Sequence, residues 1–335
     1  MPAKPKLYDC FTFNDEFDLL ELRLEMSDPF VDRFVIVEAP TTFSGNEKPL
    51  HFARNAGRFE PWRDKIVHVV VDDMPAPGGW RWAAEIHQRN ALVRGLEGAA
   101  ENDVILVSDA DEIVHPEVLG TLRQGCDCLT AFEMPRTFRF ANWELPPNRY
   151  SRAARAMPFG QVEDPHHQRN HVEPERVVSD GGRHFTTLGE VGRVAAKFET
   201  YSHAEMDNPR EKSHGYLSRA QEMGLDPFSR ELVSVAGPSQ LCSTQRRLLE
   251  VRPDLFDFGE LPNRNQRELF RWYAIWRARR PAEDSLVERL DHEYERRLPQ
   301  VMAIAGREIA RHGMWTRPRS GARSAKLRML ERVGR

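Results

Sequence analysis

The chain has 335 residues, of which 40% are hydrophobic and 30% charged, and its formal net charge is −3. This composition excludes an intrinsically disordered chain and provides no overall positive field for nucleic acid. No apolar stretch approaches the roughly 20 residues of a membrane helix, and residues 1–6 lack the apolar core of a signal peptide. We therefore expect a cytoplasmic protein, with reduced cysteines at positions 10, 126, 128 and 242.

Strands and helices alternate in the first third of the chain, which predicts an α/β fold with a mostly parallel central sheet. Apolar runs and helical spacing predict strands at 6–13, 33–39, 65–71 and 103–108, and helices at 16–26 and 80–96. The intervening segments at 41–58 and 72–79 contain Pro, Gly and polar residues, so we predict loops there.

The pattern changes after a further helix that Pro116 begins. The next predicted elements are a hairpin with strands at 129–134 and 137–140, a long loop at 142–179, and a last strand at 194–201. From residue 210 the chain reads as helical, with segments at 239–251, 265–279 and 283–311. The basic tail at 313–335 is either a solvated terminus or a peripheral contact with anionic lipid at the inner membrane.

The most informative motif is the run from Asp103 to Ile113, in which a buried apolar strand ends in Asp109, Asp111 and Glu112. Ligands bind outside the carboxyl ends of the strands in open α/β sheets. Carboxylates are hard ligands for Mg²⁺ or Mn²⁺, and such a cation neutralises a diphosphate. The motif therefore predicts a metal site in an enzyme that uses a nucleotide-sugar. The structural alternative is a solvated acidic turn before a helix.

Two more charged residues are candidates for donor binding. Glu38 ends the second predicted strand at the same sheet edge, where it binds the nucleotide or pairs with Arg33 or Lys65. Arg89 grips a diphosphate or the aspartates, or else forms an intrahelical pair with Glu85 that is worth only about 0.3 kcal/mol.

Several segments occur together in a characteristic order: Asp9–Leu24, Val31–Ala39, Thr41–Gly45, Glu85–Asn90 and Ser108–Ile113. In this order they resemble glycosyltransferase family 17, which contains the β-1,4-mannosyl-glycoprotein N-acetylglucosaminyltransferases. The likeness is dense from about residue 6 to 116, resumes more weakly at 182–185 and 197–205, and is faint after 208. One departure lies in the segment 182–185. The family usually has Trp before its His, and this chain has Arg183 there.

The resemblance implies a GT-A type fold, with a catalytic domain at 1–208 whose donor half is about 6–125 and whose acceptor-side half is 126–208. A helical region at 209–312 and the tail at 313–335 would follow. It also implies inverting transfer of N-acetylglucosamine from UDP-GlcNAc, in a β-1,4 linkage, to a glycan acceptor. Without a membrane anchor in this sequence, we expect a bacterial enzyme that acts on a surface or exported glycan.

The resemblance also suggests roles for individual residues. Asp111 would be the direct metal ligand, Asp109 would bind the metal, its water or the ribose, and His203 would be a third metal ligand that favours Mn²⁺. His184 would contact the donor or the acceptor. The general base stays open between Glu112 and Glu205, with Asp164 as a third option.

Two other functions compete with this interpretation. A sugar-phosphate nucleotidyltransferase would also use a carboxylate-bound metal, but the acidic segment at 14–18 would repel a triphosphate. A non-catalytic carbohydrate-binding protein would stack sugars on Trp80, Trp82 or Trp143, and would not need the aspartate pair.

Overall fold

The structure is a computed structural model that describes residues 4–76, 82–147, 152, 154–200 and 211–279, with the backbone alone for 199 and 200. Within these ranges the strands are β1 (Leu7–Thr12), β2 (Arg33–Glu38), β3 (Ile66–Val70), β4 (Val104–Asp109), β5 (Glu112–Val114), β6 (Thr130–Phe132), β7 (Arg136–Glu144), β8 (Arg155–Pro158), β9 (Arg176–Val178), β10 (Gly182–Leu188) and β11 (Ser234–Val235). The α-helices are α1 (Phe17–Ser27), α2 (His51–Asn55), α3 (Ala83–Asn90), α4 (Pro116–Leu122), α5 (Pro165–Asn170), α6 (Val191–Thr200), α7 (His214–Glu222), α8 (Ser243–Val251) and α9 (Arg264–Ala278).

The large sheet has the strand order β3-β2-β1-β4-β8-β6-β9. Its first four strands are parallel, β8 runs antiparallel to both β4 and β6, and β9 is parallel to β6. Apolar side chains of β1, β2 and β4 are buried on both faces of the sheet, because two hydrophobic clusters cover it. The predicted parallel α/β half is confirmed, with strand ends within about two residues of the expected positions.

A small sheet has the order β11-β7-β10-β5. Since β5 begins three residues after the end of β4, the acidic turn from Asp109 to Glu112 joins the two sheets. One hydrophobic cluster unites β7 and α6 with the later helices α7 and α9, and its largest members are Phe138, Trp143, Phe198, Tyr216 and Trp276. The small sheet therefore shares its core with the chain beyond residue 211.

The predicted strand at 194–201 is wrong, because Val191–Thr200 is the helix α6. Val194 and Phe198 lie four residues apart and are buried in the same cluster, as expected for one face of a helix. A short apolar run fits either a strand or a helix until its packing partner is known.

The predicted hairpin across residues 135 and 136 is also wrong, because β6 belongs to the large sheet and β7 to the small one. The predicted loop at 142–179 contains β8, α5 and β9. These elements have only three to six residues each, too few for a recognisable period.

Three smaller differences concern the helices. The predicted loop at 41–58 contains α2 and leads into 3₁₀ turns that end at Lys65. The helix expected at 80–96 is described from Ala83 and gives way to a 3₁₀ turn after Asn90. The helix α9 confirms the expectation for 265–279, whereas the predicted segments at 283–311 and 313–335 lie outside the described residues. No helix in the described ranges is long and apolar enough to cross a membrane.

Candidate active site

Asp109 is the last residue of β4 and lies beside Thr12 at the carboxyl edge of the large sheet. Its oxygens accept hydrogen bonds from two arginines, Arg89 Nη2 to Oδ1 at 2.6 Å and Arg169 Nη2 to Oδ2 at 2.7 Å. Both arginine side chains are buried. Burial alone would raise the pKa of Asp109, but the charges of Arg169 and Arg89 hold it well below its usual range.

Arg89 makes both of the contacts that the sequence left as alternatives. Its Nη1 donates to Glu85 Oε1 at 2.7 Å, one helical turn earlier, while its Nη2 binds Asp109. Arg89 therefore bridges α3 to the end of β4, and the structure brings these two predicted site residues together.

Arg169 was missed by the sequence reasoning because it lies in the segment predicted as a loop. A signal for it exists, since the tetrapeptide His-Gln-Arg-Asn ends both α3, at 87–90, and α5, at 167–170. The two helices also meet directly, because the backbone N–H of His166 donates to Asn90 Oδ1 at 2.9 Å. The repeated tetrapeptide thus delivers one arginine to each oxygen of Asp109.

Glu112 lies on the inner side of the acidic turn and is fully buried. Its Oε2 accepts the backbone N–H of Asp109 at 3.0 Å, and its Oε1 accepts Arg169 Nη2 at 2.7 Å. A carboxylate held by two donors in this way anchors the turn. Its role as general base stays a prediction.

The Asp111 side chain is mostly buried, and no arginine contacts its carboxylate within the described part of the chain. Its Oδ1 is 3.5 Å from His184 Nε2 and its Oδ2 is 3.6 Å from Lys197 Nζ. Burial would raise the pKa of Asp111, but the charges of His184 and Lys197 lower it. Likewise, burial would lower the pKa of His184, and the Asp111 carboxylate raises it. Asp111 therefore lies beside the Lys197 ammonium and the His184 imidazole.

Glu16, just before α1, is close enough to Asp111 for their charges to interact. Burial, followed by the charge of Asp111, raises the pKa of Glu16 to about 7. Its Oε2 accepts the backbone N–H groups of Asn14 at 3.1 Å and Asp15 at 3.2 Å. From the sequence alone, this acidic segment indicated only a barrier to triphosphate. Its proximity to Asp111 follows from the pairing of β1 with β4, which brings the ends of the two strands together.

The Asp111 carboxylate is the kind of hard oxygen ligand that divalent cations use, but His184 and Lys197 lie beside it. Such ions are held by one or two carboxylates, and water and substrate phosphates fill the other positions. No group of three or more His, Cys, Asp or Glu side chains among the described residues is placed to hold a metal, and the metal-ligand role of Asp111 stays a prediction. His184 Nδ1 is buried without a hydrogen-bond partner in the structure. The predicted ligand His203 and the predicted base Glu205 lie outside the described residues.

Glu38 ends β2 at the same sheet edge, but its fully buried carboxylate faces α2. It accepts the backbone N–H groups of Phe52 at 3.1 Å and Ala53 at 3.0 Å, and contacts His68 Nε2 at 2.9 Å. Burial would raise the pKa of Glu38, and these hydrogen bonds lower it. The carboxylate therefore holds the first turn of α2, and its contact with a nucleotide stays a prediction.

Two other residues from the sequence analysis are part of the core. Trp143 is buried and donates its indole N–H to the Asp257 carbonyl at 3.1 Å, so it is not a surface platform for sugars. Arg183, which replaces the family's usual Trp, is also buried and pairs with Asp180. The departure at Arg183 therefore affects packing beside His184.

The sequence pattern of glycosyltransferase family 17 matches residues 1–224 of this chain. The chain belongs to glycosyltransferase family 17. It is similar to proteins named beta-1,4-mannosyl-glycoprotein 4-beta-N-acetylglucosaminyltransferase from Rattus norvegicus and Homo sapiens, each 35% identical over 151 residues, and from Mus musculus, 34% identical. The matched region is 42% of this chain and 28% of each relative, so the chain spans little more than a quarter of their length. The family match contains the whole acidic turn and both arginines that bind Asp109.

Proposed function

We propose that this protein is a metal-dependent, inverting glycosyltransferase of the GT-A type, which transfers N-acetylglucosamine from UDP-GlcNAc to a glycan acceptor in a β-1,4 linkage. The observation that carries the proposal is the position of Asp111. This carboxylate lies at the carboxyl edge of a parallel sheet, beside His184 and Lys197. Membership of family 17 and the names of the similar proteins support the choice of sugar.

The charge balance supports a cation-dependent donor. Asp109 and Glu112 are paired with Arg89 and Arg169, and Asp111 lies against Lys197. A nucleotide diphosphate would add negative charge to a site whose arginines are already paired with carboxylates. A divalent cation at Asp111 would offset that charge and so favour donor binding.

The residues suggest how the transfer would proceed. The acceptor hydroxyl oxygen forms a bond to C1 of the sugar while the bond from C1 to the diphosphate oxygen breaks, and a carboxylate takes the hydroxyl proton. A divalent cation held by Asp111 would supply charge stabilisation for the leaving diphosphate. His184 and Lys197 would add positive charge on the same side, and Asp109 would hold the ribose or a metal-bound water. Glu205 and Glu112 are the candidate bases.

Calorimetric titration of the full chain with UDP and UDP-GlcNAc, with and without Mn²⁺, tests the proposal. We expect Mn²⁺-dependent binding that Asp111→Asn abolishes. The matched control is Asp127→Asn, because Asp127 is an exposed aspartate paired with Arg176. Release of UDP from UDP-GlcNAc, compared across several nucleotide-sugars, then identifies the donor. Binding that persists in Asp111→Asn, or that is absent from the folded wild-type protein, would refute the proposed site.

A further inference from the structure

Arg23 of α1 is a buried arginine with a partner for every N–H group. Its Nε and Nη2 donate to the two oxygens of Asp9 at 2.8 and 2.5 Å, and Nη2 also donates to Ser108 Oγ at 2.5 Å. Its Nη1 donates to the backbone carbonyls of Asp109 at 2.8 Å and Glu112 at 3.0 Å. The guanidinium thus uses all five donors that an arginine has.

Its contacts enclose the acidic turn. The carbonyls of Asp109 and Glu112 are the two ends of the turn, and one nitrogen of Arg23 holds both. Between them, the Asp111 carbonyl accepts the backbone N–H of Phe185 in β10 at 2.8 Å. The backbone on either side of Asp111 is therefore fixed from α1 and from the small sheet.

We infer that Arg23 is a positioning residue for the donor site, which orders the turn that carries Asp109, Asp111 and Glu112. The inference rests on the proposed function. Arg23 has no N–H group left for a ligand, because Asp9, Ser108 and the two carbonyls of the turn accept all five. Its guanidinium also packs against the ring of Phe11. Its planar fork is essential, since an ammonium group cannot reach two carboxylate oxygens, a hydroxyl and two carbonyls together.

A buried arginine could also contribute to stability alone, and the chain provides a control for that role. Arg277 of α9 is fully buried, pairs with Glu211 at 3.3 Å and lies 4.1 Å from the Tyr216 ring centroid. Arg23 lies at the same 4.1 Å from the Phe11 ring. The two arginines thus share burial, an ion pair and an aromatic neighbour, but only Arg23 contacts the acidic turn.

The test compares Arg23→Lys with Arg277→Lys in the full chain. We expect Arg23→Lys to speed hydrogen–deuterium exchange at the Asp109 and Phe185 amides at least tenfold, and to weaken Mn²⁺-dependent UDP binding at least tenfold. Arg277→Lys should change neither the exchange rates nor the UDP affinity, even if it lowers the melting temperature as much as Arg23→Lys does. If Arg23→Lys is too unstable, Ser108→Ala removes one contact and should shift both measurements in the same direction.

The two measurements separate this inference from the proposed function. Unchanged exchange in Arg23→Lys, or equal effects in Arg277→Lys, overturns the inference. Faster exchange with unaltered UDP affinity overturns it as well, because Arg23 would then order the turn without any effect on UDP binding. If the wild-type protein binds no UDP, the proposed function fails, and the exchange data alone decide whether Arg23 orders the turn.

Discussion

Asp109 neutralises two arginines that are themselves buried, at 3% and 6% exposure. Each arginine has a second carboxylate partner, Glu85 for Arg89 and Glu112 for Arg169, so removal of Asp109 leaves this buried network one negative charge short. The first aspartate of the motif is therefore a structural centre as well as a candidate ligand.

Asp109→Asn should lower the free energy of unfolding by about 2 kcal/mol, because Arg89 and Arg169 lose a charged hydrogen-bond acceptor and keep only Glu85 and Glu112 as partners. Urea denaturation at pH 7 measures the loss. Asp73→Asn is the control, since Asp73 makes a two-point contact with Arg94 at the surface, and its loss should cost the protein clearly less stability than the loss of Asp109. Equal losses in the two variants would contradict the burial argument.

Glu16 should make stability depend on pH between about 4 and 7. Its pKa is raised to about 7 in the folded chain, so the unfolded chain releases the proton first as pH rises. Ionisation of this group therefore reduces stability across that window, by at most about 3 kcal/mol. Denaturation of wild type and Glu16→Gln at pH 5 and pH 8 should show that the variant loses less stability on going to pH 8. Glu21→Gln, at an exposed position of α1, should behave as wild type.

At the scale of elements, the acidic turn depends on close contact between β5 and β10. Gly182 of β10 pairs with Val114 of β5, and a Cβ at this position would lie 2.4 Å from the Ile113 carbonyl oxygen. Because glycine has no Cβ, Gly182 allows β10 to approach β5, the strand that follows the turn.

Gly182→Ala should therefore destabilise the protein by about 1–3 kcal/mol, because backbone must move to relieve the contact. Gly192→Ala in α6 is the opposite case, since a Cβ there meets nothing within 4 Å, and it should stabilise by about 0.5–1 kcal/mol. Thermal unfolding of both variants checks the signs. A neutral Gly182→Ala would show that the two strands are further apart than described.

At the scale of the whole molecule, the family match ends at residue 224 inside a continuous core. The cluster behind the small sheet contains Phe138 and Trp143 from within the match, and Tyr273 and Trp276 from beyond it. The helix α9 thus covers side chains that belong to the family region.

Truncation after residue 224 should expose these aromatic residues, so the shortened chain 1–224 should aggregate or lose cooperative unfolding. The chain 1–279 retains α8 and α9 and should unfold cooperatively. Size-exclusion chromatography and thermal denaturation of both chains give the comparison. A monomeric, cooperative 1–224 would mean that the family region forms its own core.

The sequence by itself determined the parallel half of the large sheet and the position of Asp109 and Asp111 at its edge. Continuous apolar runs form strands buried on both faces, and this local pattern also ends where the carboxylates begin. Only the tertiary structure decided that Arg169 binds Asp109, that Lys197 faces Asp111, and that residues 191–200 form a helix. The physical reason is that these contacts join short segments far apart in the chain, and the period of a short apolar segment does not indicate which partner will bury it.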